Sequence, residues 1–216
     1  MKLYTYFESG SAYRIRIALA LKGIEYEPIF VVGGRDSTDL QKQDYLELNP
    51  AGAVPTLIDG DTVLTQSIAI MEYLEEKFPE PPLLPSEPDA RARARAMTQL
   101  IVSDTHPLST ARVMEFLDEK LELPQDAQSN WRRHWNERGF MALEELLAAD
   151  EKAKGFYFGE HPTMADIALV SQVFVATKFG YDISYFPNVM GVYEACMHHP
   201  AFKDSAPLLQ PDAPKP

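Results

Sequence analysis

The sequence predicts a small mixed α/β domain over residues 1–80, a linker over 81–88 and an all-helical domain over 89–216. Three observations predict it. The first 78 residues order their apolar runs as strand–helix–strand–helix–strand–strand–helix. Pro79 to Pro88 then holds five prolines, the clearest break in the chain. No β-rich run follows it. The first crossover requires a parallel pair and the later hairpin an antiparallel pair, so the four-stranded sheet is mixed.

Each element has its own warrant. Lys2 to Phe7 reads as the first strand, with Leu3 and the aromatics Tyr4, Tyr6 and Phe7. Tyr13 to Leu21 reads as a helix that Lys22-Gly23 ends by pairing a late cation with glycine. Tyr26 to Val32 is β-branched and aromatic, and its Pro28 removes a ladder donor, which places it at an edge. Gly33-Gly34 begins a loop, and Asp36-Ser37-Thr38 offers caps for a short polar helix through Leu48. After the Asn49-Pro50-Ala51-Gly52 turn, Val54 to Ile58 and Thr62 to Leu64 form a hairpin about Asp59-Gly60-Asp61. Gln66-Ser67 opens a helix whose apolar face is Ile68, Ile70, Met71, Tyr73, Leu74 and Phe78.

Beyond the linker, Asp89 to Lys120 is helical by pattern, with Pro107 expected to kink or interrupt it. Trp131 to Ala149 is a second long helix, with Phe140, Leu143, Leu146 and Leu147 on its apolar face. Thr163-Met164-Ala165-Asp166 resembles a capping box ahead of an apolar helix, Ile167 to Lys178. Phe186 to His198 is a last helix, and Pro207 to Pro216 a proline-rich tail.

Composition narrows the function. A net charge of −12 argues against nucleic acid and repels anionic membranes. No apolar run reaches transmembrane length, and Met1 to Tyr6 lacks the apolar core of a signal peptide. The single cysteine, Cys196, excludes an internal disulfide framework, suits the cytoplasm, and reads as a packed helix residue. The five histidines show no paired metal-ligand spacing, so no metal site is expected. The Arg91, Arg93 and Arg95 series reads as a solvated helix face that could also line a cleft.

The run Ser9-Gly10-Ser11-Ala12-Tyr13-Arg14-Ile15-Arg16 places small hydroxyl residues where a strand turns into a helix. A helix start carries unpartnered N–H groups and partial positive charge, so it stabilises an anion and lowers a thiol's pKa. No cysteine lies here, so such a thiol would belong to a bound ligand. A Ser before a helix also serves as a plain cap.

Taken together, Ser9 to Arg16, Asn49-Pro50, Val54-Pro55, Gln66-Ser67 and the Thr163–Asp166 box resemble the cytosolic glutathione transferases. Within them the likeness is to the zeta class, which includes maleylacetoacetate and maleylpyruvate isomerases. It extends through Ile17 to Gly23, Glu72 to Glu76, Leu83-Leu84-Pro85 and the closing Gln210-Pro211-Asp212, and so spans the chain. The resemblance implies a thioredoxin-like first domain that binds glutathione, a helical domain that contributes the substrate pocket, and a cytoplasmic homodimer. It implies Ser9 as the thiol-activating residue, with Ser11 as the alternative hydroxyl donor, Arg14 orienting the site and Gly10 beside them. Val54 with a cis Pro55 would meet the cysteinyl part of glutathione, Gln66 and Ser67 its γ-glutamyl carboxylate, and His106 would reach it from the helical domain. Arg112 and Lys178 are the candidate cations for substrate carboxylates, with Arg95 behind them.

The class pattern has Arg where this chain has Glu8, has paired Asn and Arg residues where it keeps Ala111 and Arg112, and has Arg where it has Lys178. Lys keeps the charge but loses the bidentate fork. The implied reaction is glutathione-dependent cis–trans isomerisation of a conjugated diketo acid. Conjugation of small electrophiles such as α-halo acids, and a non-catalytic binding protein, are the alternatives.

Overall fold

The structure, a computed structural model, describes residues 1–33, 39–150 and 155–215. Gly34 and the expected caps Asp36, Ser37 and Thr38 lie outside the described residues, as does Pro216. The chain forms two compact units, one of residues 1–83 with 198–216 and one of residues 84–197.

The first unit holds β1 (Lys2–Thr5), α1 (Gly10–Leu21), β2 (Glu27–Phe30), α2 (Gln43–Leu48), β3 (Thr56–Asp59), β4 (Thr62–Thr65) and α3 (Ser67–Lys77). The sheet order is β2-β1-β3-β4, with β1 parallel to β2 and antiparallel to β3, and β3 antiparallel to β4. Pro28 therefore sits in an edge strand, where its missing N–H faces no partner. This is the mixed sheet that the crossover and hairpin predict, and it fits the thioredoxin-like domain that the resemblance implies.

Helix α1 begins three residues ahead of the expected Tyr13, because Ser9 caps it and Gly10, Ser11 and Ala12 continue into it. Apart from Ser11 and its last two residues it is buried, and it packs on α3. Its C-terminus closes with Gly23 at φ +64°, while the Ile24 N–H returns to the Leu19 carbonyl at 2.9 Å. Lys22 lies inside the unit. Its Nζ donates to Glu75 Oε2 at 3.0 Å and to the carbonyls of Phe78 and Pro81 at 2.6 and 2.9 Å. Glu75 Oε2 also accepts the Leu83 N–H at 2.8 Å. This buried pair ties the ends of α1 and α3 to the proline-rich stretch. Lys22→Met leaves the Glu75 carboxylate buried without its cation. It is expected to lower stability by about 3 kcal/mol, read as a lower urea midpoint.

The second unit holds α4 (Pro88–Gln99), α5 (Ala111–Glu119), α6 (Gln125–Ala148), α7 (Met164–Lys178) and α8 (Pro187–His198), the last ending as the chain re-enters the first unit. Among its described residues it has no strand beyond a Phe156–Gly159 bridge. The helical run through Pro107 breaks earlier than the proline itself. A π-turn spans Leu100–Thr105 and a 3₁₀ turn spans His106–Ser109. Pro107 lacks an N–H and crowds the preceding turn, and the widened turn absorbs that mismatch. The Thr105 hydroxyl donates to the Leu100 carbonyl at 2.9 Å inside it. Gly139 of α6 lies against Thr105, where a Cβ would stand 2.3 Å from Oγ1. Helix α6 starts at Gln125, six residues before Trp131, and Leu146 faces solvent rather than the core.

The last residues, carried with the helical domain in the sequence reading, pack with the first unit instead. They form α9 (Pro200–Asp204), which packs on α1, and a 3₁₀ turn at Pro207–Leu209. Cys196 is buried, and burial pushes its thiol pKa up, so it is a packed residue. Among the described residues no helix is long and apolar enough to cross a membrane.

Candidate active site

The sheet register assembles the site. Tyr4 faces Thr56 across β1 and β3, and Thr56 faces Thr65 across β3 and β4. Tyr4, Thr56 and Thr65 stand side by side at one end of the sheet, where β1 and β4 end and β3 begins. The turn into α1, the Val54-Pro55 peptide and the start of α3 thus meet at one end of one sheet. Ser9, Val54 and Ser67, 13 to 58 positions apart in sequence, are carried to that end through strand pairing.

Ser9 stands at the N-cap of α1 with extended backbone, and its Oγ accepts the Ala12 N–H at 3.1 Å. The side chain is half-buried, not sealed inside. A hydroxyl that accepts one hydrogen bond still has its proton to donate. Capping and anion binding are therefore compatible here rather than alternatives. Ser11 is also half-buried, in the first turn.

Arg14 joins two parts of the site. It is buried, its Nε donates to Ser67 Oγ at 3.1 Å, and its Nη2 donates to Ser11 Oγ at 2.6 Å. Burial lowers its pKa to about 9, and it stays charged at neutral pH. One guanidinium fork thus spans the first turns of α1 and α3, the planar double donation that arginine allows and lysine does not.

Val54 precedes a cis peptide to Pro55 and packs, as Tyr4 does, against the buried cluster of Val31, Leu40 and Tyr45. The turn before it is held from within. Asn49 Nδ2 donates to the Ala53 carbonyl at 2.6 Å, and the Tyr45 hydroxyl donates to the same carbonyl at 2.7 Å. Gln66 has φ +68° and ψ 120° ahead of α3. A non-glycine residue there is strained by about 1 kcal/mol or more, and such outliers gather at functional positions. Nothing in the local sequence signals that strain. Gln66 is exposed, while Ser67 is buried.

Tyr6 and Glu8 flank this turn. The Tyr6 hydroxyl donates to Glu8 Oε2 at 3.3 Å. Burial, then the Glu8 charge, pushes the Tyr6 pKa up to about 12, so Tyr6 remains a neutral donor.

In the second unit, His106 opens the 3₁₀ turn, with Nδ1 3.2 Å from Gln172 Oε1. A chain of hydrogen bonds sets the direction of this contact. Asn136 Nδ2 donates to the Arg132 carbonyl at 2.8 Å, and a carbonyl can only accept. Asn136 Oδ1 therefore accepts from Gln172 Nε2 at 2.7 Å, which turns Gln172 Oε1 toward the histidine. His106 Nδ1 then donates to Gln172 Oε1. Asn136 and Gln172 are buried polar residues that carried no signal in the sequence. Arg112, on α5, and Lys178, at the end of α7, are both exposed. Lys178 lies 5.2 Å from the centroid of the Phe179 ring, with Arg132 over the same ring at 4.2 Å.

The family model for the glutathione S-transferase N-terminal domain matches residues 1–76, and that for the C-terminal domain matches residues 133–199. Over 215 residues, 99% of both chains, the sequence is 42% identical to the maleylacetoacetate isomerase of Pseudomonas aeruginosa. A holo structure of maleylpyruvate isomerase, described as a bacterial zeta-class glutathione S-transferase, matches with TM-score 0.95. It is 41% identical, over 99% of this chain and 100% of its own. The chain belongs to the zeta class of the glutathione S-transferases. Another zeta-like structure, the maleylacetoacetate isomerase of Methylobacterium extorquens with bound malonate and glutathione, also has TM-score 0.95. It is 42% identical and covers 100% of both chains. In this zeta-class transferase, Ser9, Val54 and Ser67 lie in the N-terminal family domain, and His106 and Arg112 lie between the two matched regions.

Proposed function

We propose that this zeta-class transferase is a glutathione-dependent cis–trans isomerase of a diketo acid of the maleylacetoacetate or maleylpyruvate kind. One observation carries the reading: Ser9, Val54 and Ser67 meet at one sheet end in a chain 42% identical over its length to such an isomerase. The donor set fits the tripeptide. Two helix starts, of α1 and α3, bring N–H groups and serine hydroxyls to the same sheet end, which suits a sulfur anion and a carboxylate. Bound glutathione supplies a thiolate that adds reversibly to the cis double bond, so that rotation about the new single bond yields the trans isomer.

The chain's residues then divide the work. Ser9 donates its hydroxyl proton to the sulfur, beside the N–H groups of Gly10 and Ser11, and so favours thiolate over thiol. Arg14 holds Ser11 and Ser67 in place through its fork. The Val54 backbone, set by the cis Pro55, pairs with the cysteinyl part, and Gln66 and Ser67 hold the γ-glutamyl carboxylate. The family likeness gives His106 a contact with the tripeptide. Arg112 and Lys178 supply positive charge for substrate carboxylates from the helical domain. The family supports a homodimer, and the acidic charge with one buried cysteine supports a cytoplasmic setting.

Conjugation of small electrophiles is the second reading, favoured by Glu8. Its carboxylate, held by Tyr6 and adjacent to Ser9, repels a dianionic substrate more than a small monoanion. The deciding experiment adds maleylpyruvate and glutathione to the purified protein and follows loss of the enol absorbance. Catalysed loss is expected. Turnover of an α-halo acid without it would reject the isomerase, and no glutathione binding at millimolar concentration would leave a binding protein.

A further inference from the structure

The turn that presents Ser9 is gripped from both sides, by Arg16 of α1 and by a residue near the other end of the chain. Its own link is short: the Ser9 N–H donates to the Tyr6 carbonyl at 3.0 Å. Buried Arg16 takes the carbonyl side. Its Nη1 donates to Thr5 Oγ1 at 3.1 Å and to the Tyr6 carbonyl at 3.3 Å, and its Nη2 to the Phe7 carbonyl at 3.1 Å. The amide side is taken from the other end of the chain. Asp212 Oδ2 accepts the Phe7 N–H at 2.8 Å, across 205 positions of sequence.

The closing segment is anchored for this contact. Arg16 Nε donates to the Ser205 carbonyl at 3.3 Å, and the Tyr13 hydroxyl to the Phe202 carbonyl at 3.2 Å. Gln210 Nε2 donates to the carbonyls of Asp204 and Ala206 at 3.3 and 3.1 Å. The Ala213 N–H donates to the Gln210 carbonyl at 3.0 Å, so Asp212 sits in a built turn. Asp212 Oδ1 is buried with no hydrogen-bond partner. Leaving a carboxylate oxygen bare inside a protein is unfavourable, and packing alone gives no reason to keep it. The charge faces Arg16, on the opposite side of the same peptide, and Tyr6 and Tyr26.

We propose that Asp212 is a positioning residue for Ser9: the carboxyl-terminal segment clamps the Tyr6–Ser9 turn through the Phe7 N–H and so aims the Ser9 hydroxyl. The link to sulfur rests on the glutathione reading above; the clamp itself does not. Nothing local to Ser9 announces this partner.

The test uses the full-length protein and the variants D212A, D212N and Q210A. Thiolate formation on bound glutathione is titrated by its ultraviolet absorbance, affinity is measured by calorimetry, and amide exchange is followed without ligand. D212A is expected to raise the bound thiol's pKa by about one, roughly a tenfold weaker hold on the thiolate form, with a smaller change in affinity. D212N keeps an oxygen for the Phe7 N–H and is expected to restore most of the effect. Q210A loosens the segment without removing Asp212. It is expected to shift the titration the same way by less, and it decides the matter should D212A fail to fold. A wild-type titration in D212A, no rescue by D212N, or, where D212A does not fold, a wild-type titration in Q210A overturns the proposal. Should the wild type not bind glutathione, the sulfur role fails with the glutathione reading. Faster exchange at Phe7, Ser9 and Ala12 in D212A would then still uphold the clamp, and unchanged exchange would reject it.

Discussion

Ser9→Ala is expected to lower turnover by about 10²-fold, the usual effect of removing one donor aimed at developing or resident negative charge. Glutathione affinity is expected to fall far less, because the tripeptide keeps its proposed contacts at Val54, Gln66 and Ser67. The variant also removes the cap of α1, which costs about 1 kcal/mol of stability, so unfolding must be measured beside turnover. Two further substitutions separate capping from catalysis. Ser9→Thr keeps both the cap oxygen and the proton and should retain much of the activity. Ser9→Asp caps a helix as well as serine does, but sets a carboxylate beside the sulfur and should be inactive while folded. Steady-state kinetics with calorimetric binding decides it. An equal loss of turnover and affinity in Ser9→Ala would make Ser9 a binding or packing residue.

The second large effect is on the fold. Asp166 is fully buried at the first turn of α7, and its Oδ1 accepts the Tyr157 N–H at 2.7 Å. Its Oδ2 accepts the Thr163 N–H at 2.7 Å and the Thr163 hydroxyl at 2.8 Å. Burial pushes its pKa up, and these hydrogen bonds pull it back down. Asp166→Ala removes all three bonds and strands two buried N–H groups. At roughly 1.5 kcal/mol for each bond to a charged acceptor, the loss is about 4 kcal/mol. Asp166→Asn keeps an acceptor and should lose about half of that. The check is the shift in urea midpoint of each variant. A loss below about 1 kcal/mol for Asp166→Ala would mean that water replaces the carboxylate. Because α7 is buried on nearly every face, this cap sets the register of the helix at the centre of its unit.

Local signals in the sequence read well wherever the physics is local. An apolar and aromatic run marked β1, the Asp59-Gly60-Asp61 turn marked the β3–β4 hairpin, Gly23 marked the end of α1, and the Thr163–Asp166 spacing marked a box that is present with both of its bonds. They read badly where a neighbour decides the outcome. Glu75 looks like a solvated helix residue until Lys22 is found beside it. The break near Pro107 begins seven residues before the proline, because the helix widens upstream rather than bending at the ring. Arg112 and Lys178 share charge with the expected pattern, yet both lie exposed.

What the sequence determined by itself was the order of the elements, the mixed sheet, and which residue types stand at each helix start. Caps, turns and periodicity involve groups within four residues of each other, so their energetics is written in adjacent letters. Only the tertiary structure decided that the segments carrying Ser9, Val54 and Ser67 leave one end of the sheet, that one guanidinium spans Ser11 and Ser67, and that the chain's end returns to hold Phe7. The Arg14–Ser67 and Phe7–Asp212 contacts join groups 53 and 205 positions apart. They depend on strand register and on the packing of α9 against α1, and neither leaves a mark in the neighbouring sequence.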